Sequence, residues 1–363
     1  MTSTSPGPTP AVVAGVEHLT PDWLAAALAP TSGSAGIRSL RTEPVGTGQM
    51  ATTVRVFVDT DSGDRTLIAK LARDDIRPEM ARTAYLKEVA FYDELRDRVA
   101  MRTPGCMYAA VEPEAARFVL LLEDLADARP GDQIAGCTPE HARAAVINLA
   151  GLHGPTWCDE TLRSAPWLGG DPKGSSEILG PFVAIAADGF EARFAAELTE
   201  DENAVVAASR ELLVPWLLAG GERFAVTHGD YRLDNLLFPE GDPGGVAAVD
   251  WQTVGLGPPG RDLAYFLATS LSPEDRRRHE EDLLANYHQA LADHGVTGYT
   301  LDECWEDYRL GMLHGPLIIL LGRLTATVTD RGDEMFKVMW QRSARAILDL
   351  GSLDAIRASI DRP

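Results

Sequence analysis

A polar interruption within an apolar stretch constrains the fold more than any other feature. The segment VTHGDYRLDNLLF, residues 226–238, places His228, Asp230 and Asn235 among apolar side chains. The turn-rich PEGDPGG follows, and then VAAVD, which ends at Asp250. The short apolar runs on either side of this turn predict a β-hairpin. A polar turn between two buried strands is the plain alternative, since Gly, Asp and Asn are common turn residues.

The predicted hairpin indicates where these polar residues meet. Asn235 stands immediately before the first strand, and Asp250 immediately after the second. Because the start of one strand lies beside the end of the other in an antiparallel pair, we expect both at the open end, with Asp230 on the loop leading in. Oxygen ligands of this kind suit Mg²⁺ bound with nucleotide phosphates. Each residue alone would be interpreted as a strand cap, but the three together indicate a phosphoryl-transfer site.

Apolar periodicity predicts a small sheet followed by helices. Alternating valines in TTVRVFVDT and the turn DSG predict a hairpin with RTLIAKLAR. Residues 76–100 have helical spacing, and the uniformly apolar RFVLLLEDL, residues 117–125, predicts a central strand. Other segments have helical patterns: residues 18–30, the segment that begins at Thr138, and residues 188–219, 261–270, 273–294, 301–321 and 333–350.

These patterns predict an α+β chain with two lobes. Residues 1–15, rich in Ser, Thr and Pro, are expected to be a disordered leader. Residues 16–125 are expected to form an N-terminal lobe with a small antiparallel β-sheet and one long helix. Residues 126–363 are expected to form a larger, mainly helical C-terminal lobe. The length of 363 residues supports this division, because single cores stop growing beyond about 250–300 residues.

Composition excludes several classes of protein. The net charge of −21 argues against nucleic-acid binding, which needs a basic surface. No apolar run approaches the length of a membrane span, and the N-terminus lacks the basic residues of a signal peptide. The four cysteines form no C-x-x-C pair, which disfavours a zinc site or a disulfide framework. We therefore expect a cytoplasmic protein with neither nucleic acid nor membrane as a partner.

The motifs resemble those of one group of enzymes. H-x-D-x-x-x-x-N, followed by an aspartate after a short hairpin, resembles the catalytic and metal loops of protein-kinase-like folds. The HGD form, with VDWQTVGLGPPGRDLAYFL after it, is similar to the aminoglycoside phosphotransferase and choline kinase superfamily. Within it, LLEDLADARPGD, LAGLHGPTW and the Gln after VDW look most like the ecdysteroid-kinase-like branch. The resemblance covers residues 20–340 and implies a two-lobed protein-kinase-like fold.

The resemblance implies a role for each matching residue of the second lobe. Asp230 matches the catalytic aspartate, which orients the acceptor hydroxyl and takes its proton. Asn235 and Asp250 match the metal ligands. His228 matches a histidine that supports the loop, and Asp262 matches a structural aspartate that braces it.

In the first lobe, Lys70 and Glu88 are predicted to form an ion pair. Lys70 interrupts the apolar strand LIAKLA, where an unpaired ammonium would be costly to desolvate. Glu88 lies on the apolar stripe of the following helix, so two opposite charges point to one interior. The alternatives are a lysine that snorkels from an edge strand, and Glu79 or Glu94 in place of Glu88. The resemblance implies that the pair holds the α- and β-phosphates of a nucleotide.

Two more nucleotide-binding elements are predicted from their positions. GTGQMA has Gly46 and Gly48, but Ala51 where a third glycine would stand. A plain turn is the alternative, yet its place one strand before the lysine hairpin favours a phosphate-covering loop. The resemblance places the adenine-binding hinge at the backbone from Glu123 to Leu125, with a plain core strand as the alternative.

Two other histidines, His153 and His314, have their own interpretations. His153 lies on an apolar helix and is interpreted as a packing histidine. His314, in MLHGP, is a candidate for the lining of a substrate pocket.

The leading interpretation is an ATP- and Mg²⁺-dependent kinase that phosphorylates a hydroxyl of a small molecule. The alternative is a catalytically silent kinase fold that binds nucleotide or acts as a scaffold. Silent forms typically lose the lysine, the catalytic aspartate or the metal aspartate, and Lys70, Asp230 and Asp250 are all present. A metal-dependent hydrolase would need more ligands near His228 than Asp234 supplies. No Walker motif and no A-P-E segment occurs, and the fold does not choose the acceptor.

Overall fold

The computed structural model describes residues 10–32, 36–46, 50–169 and 172–361. These residues form two compact units. The first contains the described part of Met1–Asp97 together with Thr103–Ala126 and Asp250–Thr253, and the second contains Arg98–Arg102, Asp127–Val249 and the described part of Val254–Pro363. The division therefore differs from a single boundary at residue 125. The short segment Arg98–Arg102 belongs to the second unit, and the short segment Asp250–Thr253 belongs to the first.

The first unit is built on a five-stranded antiparallel sheet. Its strands are β1 (Ile37–Pro44), β2 (Ala51–Thr60), β3 (Gly63–Ala72), β4 (Cys106–Glu112) and β5 (Arg117–Glu123). The spatial order is β1-β2-β3-β5-β4, so the strand predicted to be central lies between β3 and β4. The predicted β2–β3 hairpin is confirmed, and the alternating Val54, Val56 and Val58 are buried.

The described part of this unit also contains the helices α1 (Pro21–Ser32) and α2 (Pro78–Ala90). The first helix, α1, begins after Thr20, whose hydroxyl accepts the Trp23 N–H at 3.2 Å. The second helix, α2, continues into a π-helical turn, Phe91–Leu95. A π-helical turn inserts one residue into a helix and is frequent at functional sites. Here it follows directly after the helical turn that carries Glu88.

Residues 10–15 correct the predicted disordered leader. Val13 is buried in the core of the first unit. The Tyr108 hydroxyl donates to the Pro10 carbonyl at 2.6 Å, and the Trp23 indole donates to the Ala11 carbonyl at 2.9 Å. The short apolar run in this segment therefore contributes to the core. The earlier part of the predicted leader, residues 1–9, lies outside the described residues.

The second unit is mainly helical. Its helices are α3 (Pro139–His153), α4 (Pro172–Phe194), α5 (Glu200–Ala219), α6 (Gly260–Ser270), α7 (Pro273–Asp293), α8 (Leu301–Leu310), α9 (His314–Thr325), α10 (Asp330–Asp349) and α11 (Ser352–Ile360). The helix predicted over 188–219 is divided into α4 and α5, because Thr199 and Glu202 form a capping box that starts a new helix. The helix predicted over 301–321 is divided by a 3₁₀ turn, Gly311–Leu313.

Short strands position the loops of the second unit. They are β6 (Ala128–Pro130), β7 (Ala225–Thr227), β8 (Leu236–Pro239), β9 (Ala247–Ala248) and β10 (Gly255–Gly257). The predicted hairpin is confirmed, with β8 antiparallel to β9, and β6 adds to the other side of β8. β7 pairs with β10, so the residues after β7 leave a short antiparallel ladder. Every helix in the described ranges is too short or too polar to cross a membrane.

Candidate active site

A buried carboxylate from α6 holds the backbone of the HGD loop. Asp262 accepts the N–H of His228 at 2.6 Å and the N–H of Gly229 at 2.9 Å. Burial raises the pKa of Asp262, but the hydrogen bond and charge of His153 outweigh it and leave the pKa below its ordinary value. An ionised carboxylate is the stronger acceptor for backbone N–H groups. Gly229 has φ +80°, which favours glycine at this turn.

The ring of His228 links the loop to the hairpin. Its Nδ1 accepts the Asp230 N–H at 3.3 Å, so its Nε2 carries the proton and donates to the Val249 carbonyl at 3.1 Å. The Val249 N–H donates in turn to the Asn235 carbonyl at 3.0 Å. His228 is fully buried, so its contacts are those of a supporting residue.

The Asp230 carboxylate accepts hydrogen bonds from three side chains. The Tyr265 hydroxyl donates to Oδ1 at 2.9 Å, while Asn235 Nδ2 and Arg232 Nε donate to Oδ2 at 3.0 and 3.2 Å. Asn235 Nδ2 also donates to the Asp230 carbonyl at 2.9 Å. The Asp230 side chain is 23% exposed, so the carboxylate is both oriented and accessible.

Three residues that hold this loop were not predicted from the sequence: Arg232, Tyr265 and Gln133. Arg232 Nη1 donates to Asp234 at 3.0 Å. Burial lowers the pKa of Arg232, but the charge of Asp230 outweighs it and raises the pKa, so the side chain stays cationic between two carboxylates. Its place between Asp230 and Asp234 in the motif was the available signal.

Tyr265 and Gln133 reach the loop from other parts of the second unit. Burial, and then the charge of Asp230, raise the pKa of Tyr265 well above its ordinary value, so its hydroxyl donates. Tyr265 follows Asp262 by one helical turn, and that spacing was the available signal. The buried Gln133 accepts the Leu233 N–H at 2.9 Å through Oε1. Its contact joins residues a hundred positions apart, which no local pattern reveals.

In the first unit, Lys70 lies between two carboxylates. Its Nζ is 2.6 Å from Glu88 Oε1 and 3.0 Å from Asp250 Oδ1. Burial lowers the pKa of Lys70, but the charges of Asp250 and Glu88 outweigh it and raise the pKa. The predicted ion pair of Lys70 and Glu88 is therefore confirmed. The edge-strand alternative is wrong, because β3 lies between β2 and β5.

Glu88 is held at both of its carboxylate oxygens. Lys70 contacts Oε1, and Gln252 Nε2 donates to Oε2 at 3.1 Å. Glu88 is 1% exposed, whereas Glu79 and Glu94 of the same helical segment are exposed. Glu88, and neither Glu79 nor Glu94, is therefore the glutamate that pairs with Lys70.

Asp250 combines an unusual backbone with a partly open side chain. Its φ of +71° lies in the left-handed region, which costs an L-residue about 1–2 kcal/mol, although aspartate is among the residues that visit it. Such strain clusters at ligand sites. Phe91 stacks on the neighbouring Trp251, with ring centroids 3.5 Å apart, and helps to fix the chain here. The Asp250 side chain is 40% exposed.

Asn235 in the second unit and Asp250 in the first each offer a side-chain oxygen. Asn235 uses its Nδ2 group on Asp230, which leaves its carbonyl oxygen Oδ1 as the ligand atom. Asp250 offers a partly exposed carboxylate. Within the described ranges no three His, Cys, Asp or Glu side chains are grouped to hold a metal by themselves. Amide and carboxylate oxygens are each, taken separately, of the kind that Mg²⁺ prefers.

The candidate glycine loop is described in part. Gly46 has φ +70°, and no atom of the described residues lies within 4 Å of the position that a Cβ would occupy there. Gly48, the second glycine of the predicted phosphate-covering loop, lies outside the described residues.

The predicted adenine hinge begins at Glu123, the last residue of β5. The Glu123 N–H donates to the Gly105 carbonyl at 2.7 Å, and its carboxylate accepts the Gly105 N–H at 3.0 Å. Arg55 binds Asp124 through two hydrogen bonds of 2.7 and 3.0 Å, which fixes the chain just before the half-buried Leu125.

The two histidine candidates both support the loop. His153 is buried and contacts the Tyr287 hydroxyl at 2.7 Å and Asp262 at 3.3 Å, so the packing interpretation gains a hydrogen-bonding role. His314 is 8% exposed, and its Nε2 lies 2.9 Å from the Gly229 carbonyl. His314 therefore braces the loop, and the pocket-lining interpretation has no support in these contacts.

Comparison with known proteins agrees with the resemblance found in the motifs. The model of the ecdysteroid kinase-like family matches residues 196–296, which include the HGD loop, the hairpin and α6. No curated protein matches the sequence significantly.

Solved structures of small-molecule kinases share the fold. Choline kinase from Cryptosporidium parvum aligns with a TM-score of 0.53 and 9% identity, over 86% of this chain and 91% of its own. Ethanolamine kinase from Plasmodium vivax aligns with a TM-score of 0.52 and 11% identity, over 83% and 81%. APH(2″)-IIIa, in a complex with GDP and kanamycin, aligns with a TM-score of 0.54 and 13% identity, over 87% and 97%. At these identities the likeness shows the fold, and the chain has the α+β protein-kinase-like fold predicted from its motifs.

Proposed function

We propose that this chain is an ATP- and Mg²⁺-dependent phosphotransferase that acts on a hydroxyl of a small molecule. The observation that carries the proposal is the Asp230 carboxylate, which three donors orient while it stays 23% exposed. An oriented, accessible carboxylate is what a general base for a hydroxyl requires. The names of the matching family and of the structural neighbours, all small-molecule kinases, support the same class of reaction.

The first unit supplies the nucleotide-binding groups of the proposal. Lys70, held by Glu88 and Asp250, is the cation for the α- and β-phosphates. Gly46 and Gly48 are assigned to the loop over the phosphates, and the backbone from Glu123 to Leu125 is assigned to the adenine. The GDP bound to a neighbour of the same fold supports a nucleotide ligand.

We assign Mg²⁺ to the side-chain oxygens of Asn235 and Asp250, which the resemblance of the motifs implies as its ligands. The bound ion would neutralise the charge that spreads over the phosphate oxygens during transfer. Each residue keeps its oxygen in place by another contact, Asn235 through Asp230 and Asp250 through Lys70.

In the transfer step, the acceptor oxygen forms a bond to the γ-phosphorus as the bond from that phosphorus to the β,γ-bridging oxygen breaks. Asp230 receives the acceptor proton, and ADP leaves with the bond electrons. A silent kinase fold typically lacks at least one of three side chains. The corresponding residues, Lys70, Asp230 and Asp250, are all present and hydrogen-bonded.

The four cysteines are free thiols, which favours a reducing compartment, and we place the protein in the cytoplasm.

ADP release from Mg-ATP tests this proposal. The purified chain is assayed with a panel of hydroxylated compounds that includes choline, ethanolamine, kanamycin and an ecdysteroid. We expect at least one compound to raise ADP release above that in buffer and to gain a phosphate detectable by mass spectrometry. Absence of both Mg-ATP binding in calorimetry and phosphorylated product would refute the proposal. Binding without product across a widened panel would favour the scaffold alternative.

A further inference from the structure

Most hydrogen-bonding positions of the Asp230 carboxylate are occupied. An ionised carboxylate offers about four lone-pair positions, two on each oxygen. Asn235 Nδ2 and Arg232 Nε take those of Oδ2, at 3.0 and 3.2 Å. The Tyr265 hydroxyl takes one position of Oδ1 at 2.9 Å. Among the residues that the structure describes, no further side chain donates to this carboxylate, so one position on Oδ1 is left for a ligand.

Tyr265 is placed by the same helix that fixes the backbone of the loop. It lies one turn after Asp262 on α6, and both residues are fully buried. Asp262 accepts the N–H groups of His228 and Gly229, while Tyr265 donates to the Asp230 side chain. A single rigid helix therefore sets both the path of the loop and the direction of its carboxylate.

The contact of Tyr265 fixes what the other two donors leave free. The terminal torsion of an aspartate is broad, so it is weakly set by the side chain itself. Asn235 and Arg232 both bind Oδ2, which leaves the carboxylate plane able to turn about that oxygen. A third donor on Oδ1 removes this freedom. A tyrosine that served only as core filling would not need a hydroxyl aimed at a carboxylate oxygen.

We propose that Tyr265 is a positioning residue that makes Oδ1 of Asp230 the oxygen that receives the acceptor proton. The inference rests on the proposed function, because it assigns one atom of the same transfer step. The acceptor O–H donates to the open position of Oδ1, and its proton moves there as the new O–P bond forms and the β,γ-bridging P–O bond breaks. Oδ2 does not take the proton, because N–H donors fill both of its positions.

The test removes the hydroxyl and keeps the ring. With a phosphorylated compound from the panel as acceptor, Tyr265→Phe should lower kcat about 10- to 100-fold, the value of a hydrogen bond to a charged group. The KM for Mg-ATP should stay within about twofold, because nucleotide binding does not use this contact. The ratio of ATP hydrolysed to acceptor phosphorylated should rise, since water needs less exact placement than the acceptor.

Tyr308→Phe is the matched control. Tyr308 is also fully buried in the second unit, and its hydroxyl donates to the Glu280 carboxylate at 3.2 Å. Its loss removes the same kind of bond away from the HGD loop, so kcat and the ratio of hydrolysis to transfer should not change. If Tyr265→Phe matches this control, or lowers hydrolysis and transfer equally, the positioning role is overturned.

A urea-unfolding cycle tests the contact without any acceptor. Tyr265→Phe, Asp230→Asn and the double variant should be non-additive by about tenfold in the unfolding equilibrium constant. Additive effects would overturn the inference. If instead Asp230→Asn transfers phosphate at the parental rate, the proposed function fails and the proton assignment fails with it. If transfer falls in Asp230→Asn but stays at the parental rate in Tyr265→Phe, only the inference about Tyr265 is overturned, and the proposed function stands.

Discussion

The two units hold their proposed functional residues in different ways. In the first unit, Lys70 is held by charge, through Glu88 and Asp250. In the second unit, Asp230 is held mainly by a network of directed donors that includes neutral Tyr265 and Asn235. Ion pairs tolerate movement of the partners but depend on every charge, whereas directed hydrogen bonds fix an orientation. The difference suits the proposed tasks, since phosphates require charge and an acceptor hydroxyl requires direction.

Among the predicted substitutions, Asp230→Asn should have the largest effect on phosphoryl transfer. The variant keeps the shape of the side chain but removes its charge and most of its basicity, so phosphoryl transfer should fall about 10²- to 10⁴-fold. Binding of Mg-ATP in calorimetry should stay close to that of the parent, because nucleotide contacts are assigned to the first unit. Parental turnover would show that Asp230 only shapes the loop.

Lys70→Ala should have the second largest effect, because it removes the cation that pairs with Glu88 and Asp250 in the first unit. Loss of the ammonium leaves Glu88, which is 1% exposed, buried without its cation, and breaking such a pair typically costs about 3–5 kcal/mol. Urea unfolding should show this loss, and calorimetry should show strongly weakened binding of Mg-ATP. Asp250→Ala is the companion variant, since it removes the more exposed partner and should affect nucleotide binding more than stability. Unchanged nucleotide affinity in both variants would refute the assignment of the first unit.

Glu88→Gln should have a smaller effect than Lys70→Ala, because it removes one charge from the pair and keeps a hydrogen-bond acceptor. Glutamine still accepts a hydrogen bond from Lys70, so the fold should lose little, but turnover should fall about tenfold as the lysine loses a charged partner. Glu79→Gln and Glu94→Gln are controls on the same helical segment, because both side chains are exposed. A silent Glu88→Gln beside an impaired control would mean that the pair has no part in turnover.

The sequence was sufficient where a local pattern determines position. The alternation of Val54, Val56 and Val58 predicted the β2–β3 hairpin, and the turn after Phe238 predicted the β8–β9 hairpin. Lys70 stood out because a charge in an apolar strand needs a partner. The β4 strand was not predicted, since CMYAAVE has no clear alternation.

The supporting contacts of the HGD loop were predicted only where a motif contained them. Asp262 was found through its motif, but Gln133 was missed because its partner Leu233 is a hundred residues away. Tyr265 was missed although its spacing from Asp262 places both on one helical face. Contacts between distant segments set only part of the orientation of Asp230, because its carboxylate accepts from Tyr265 as well as from the nearby Arg232 and Asn235.

The smallest expected effect concerns the stability of the protein in acid. It tests whether His314 supports the HGD loop as a neutral ring or as a charged partner. His314 is 8% exposed, and burial lowers its pKa despite the opposing charge of Asp262. The unfolded chain, with an ordinary histidine pKa near 6.5, therefore binds the proton more tightly than the folded chain. Stability from the neutral ring is fully present above about pH 6.5 and is lost as the pH falls below it.

His314→Gln should remove that pH dependence, because glutamine can still donate to the Gly229 carbonyl but does not titrate in this range. Between about pH 6.5 and 5, the parent should lose more unfolding free energy than the variant. Urea unfolding at several pH values measures this difference, with other residues that titrate in the same range common to both proteins. Parallel pH curves for the two proteins would show that His314 takes up a proton equally well in the folded and unfolded chain, and that its ring is not held neutral against Gly229.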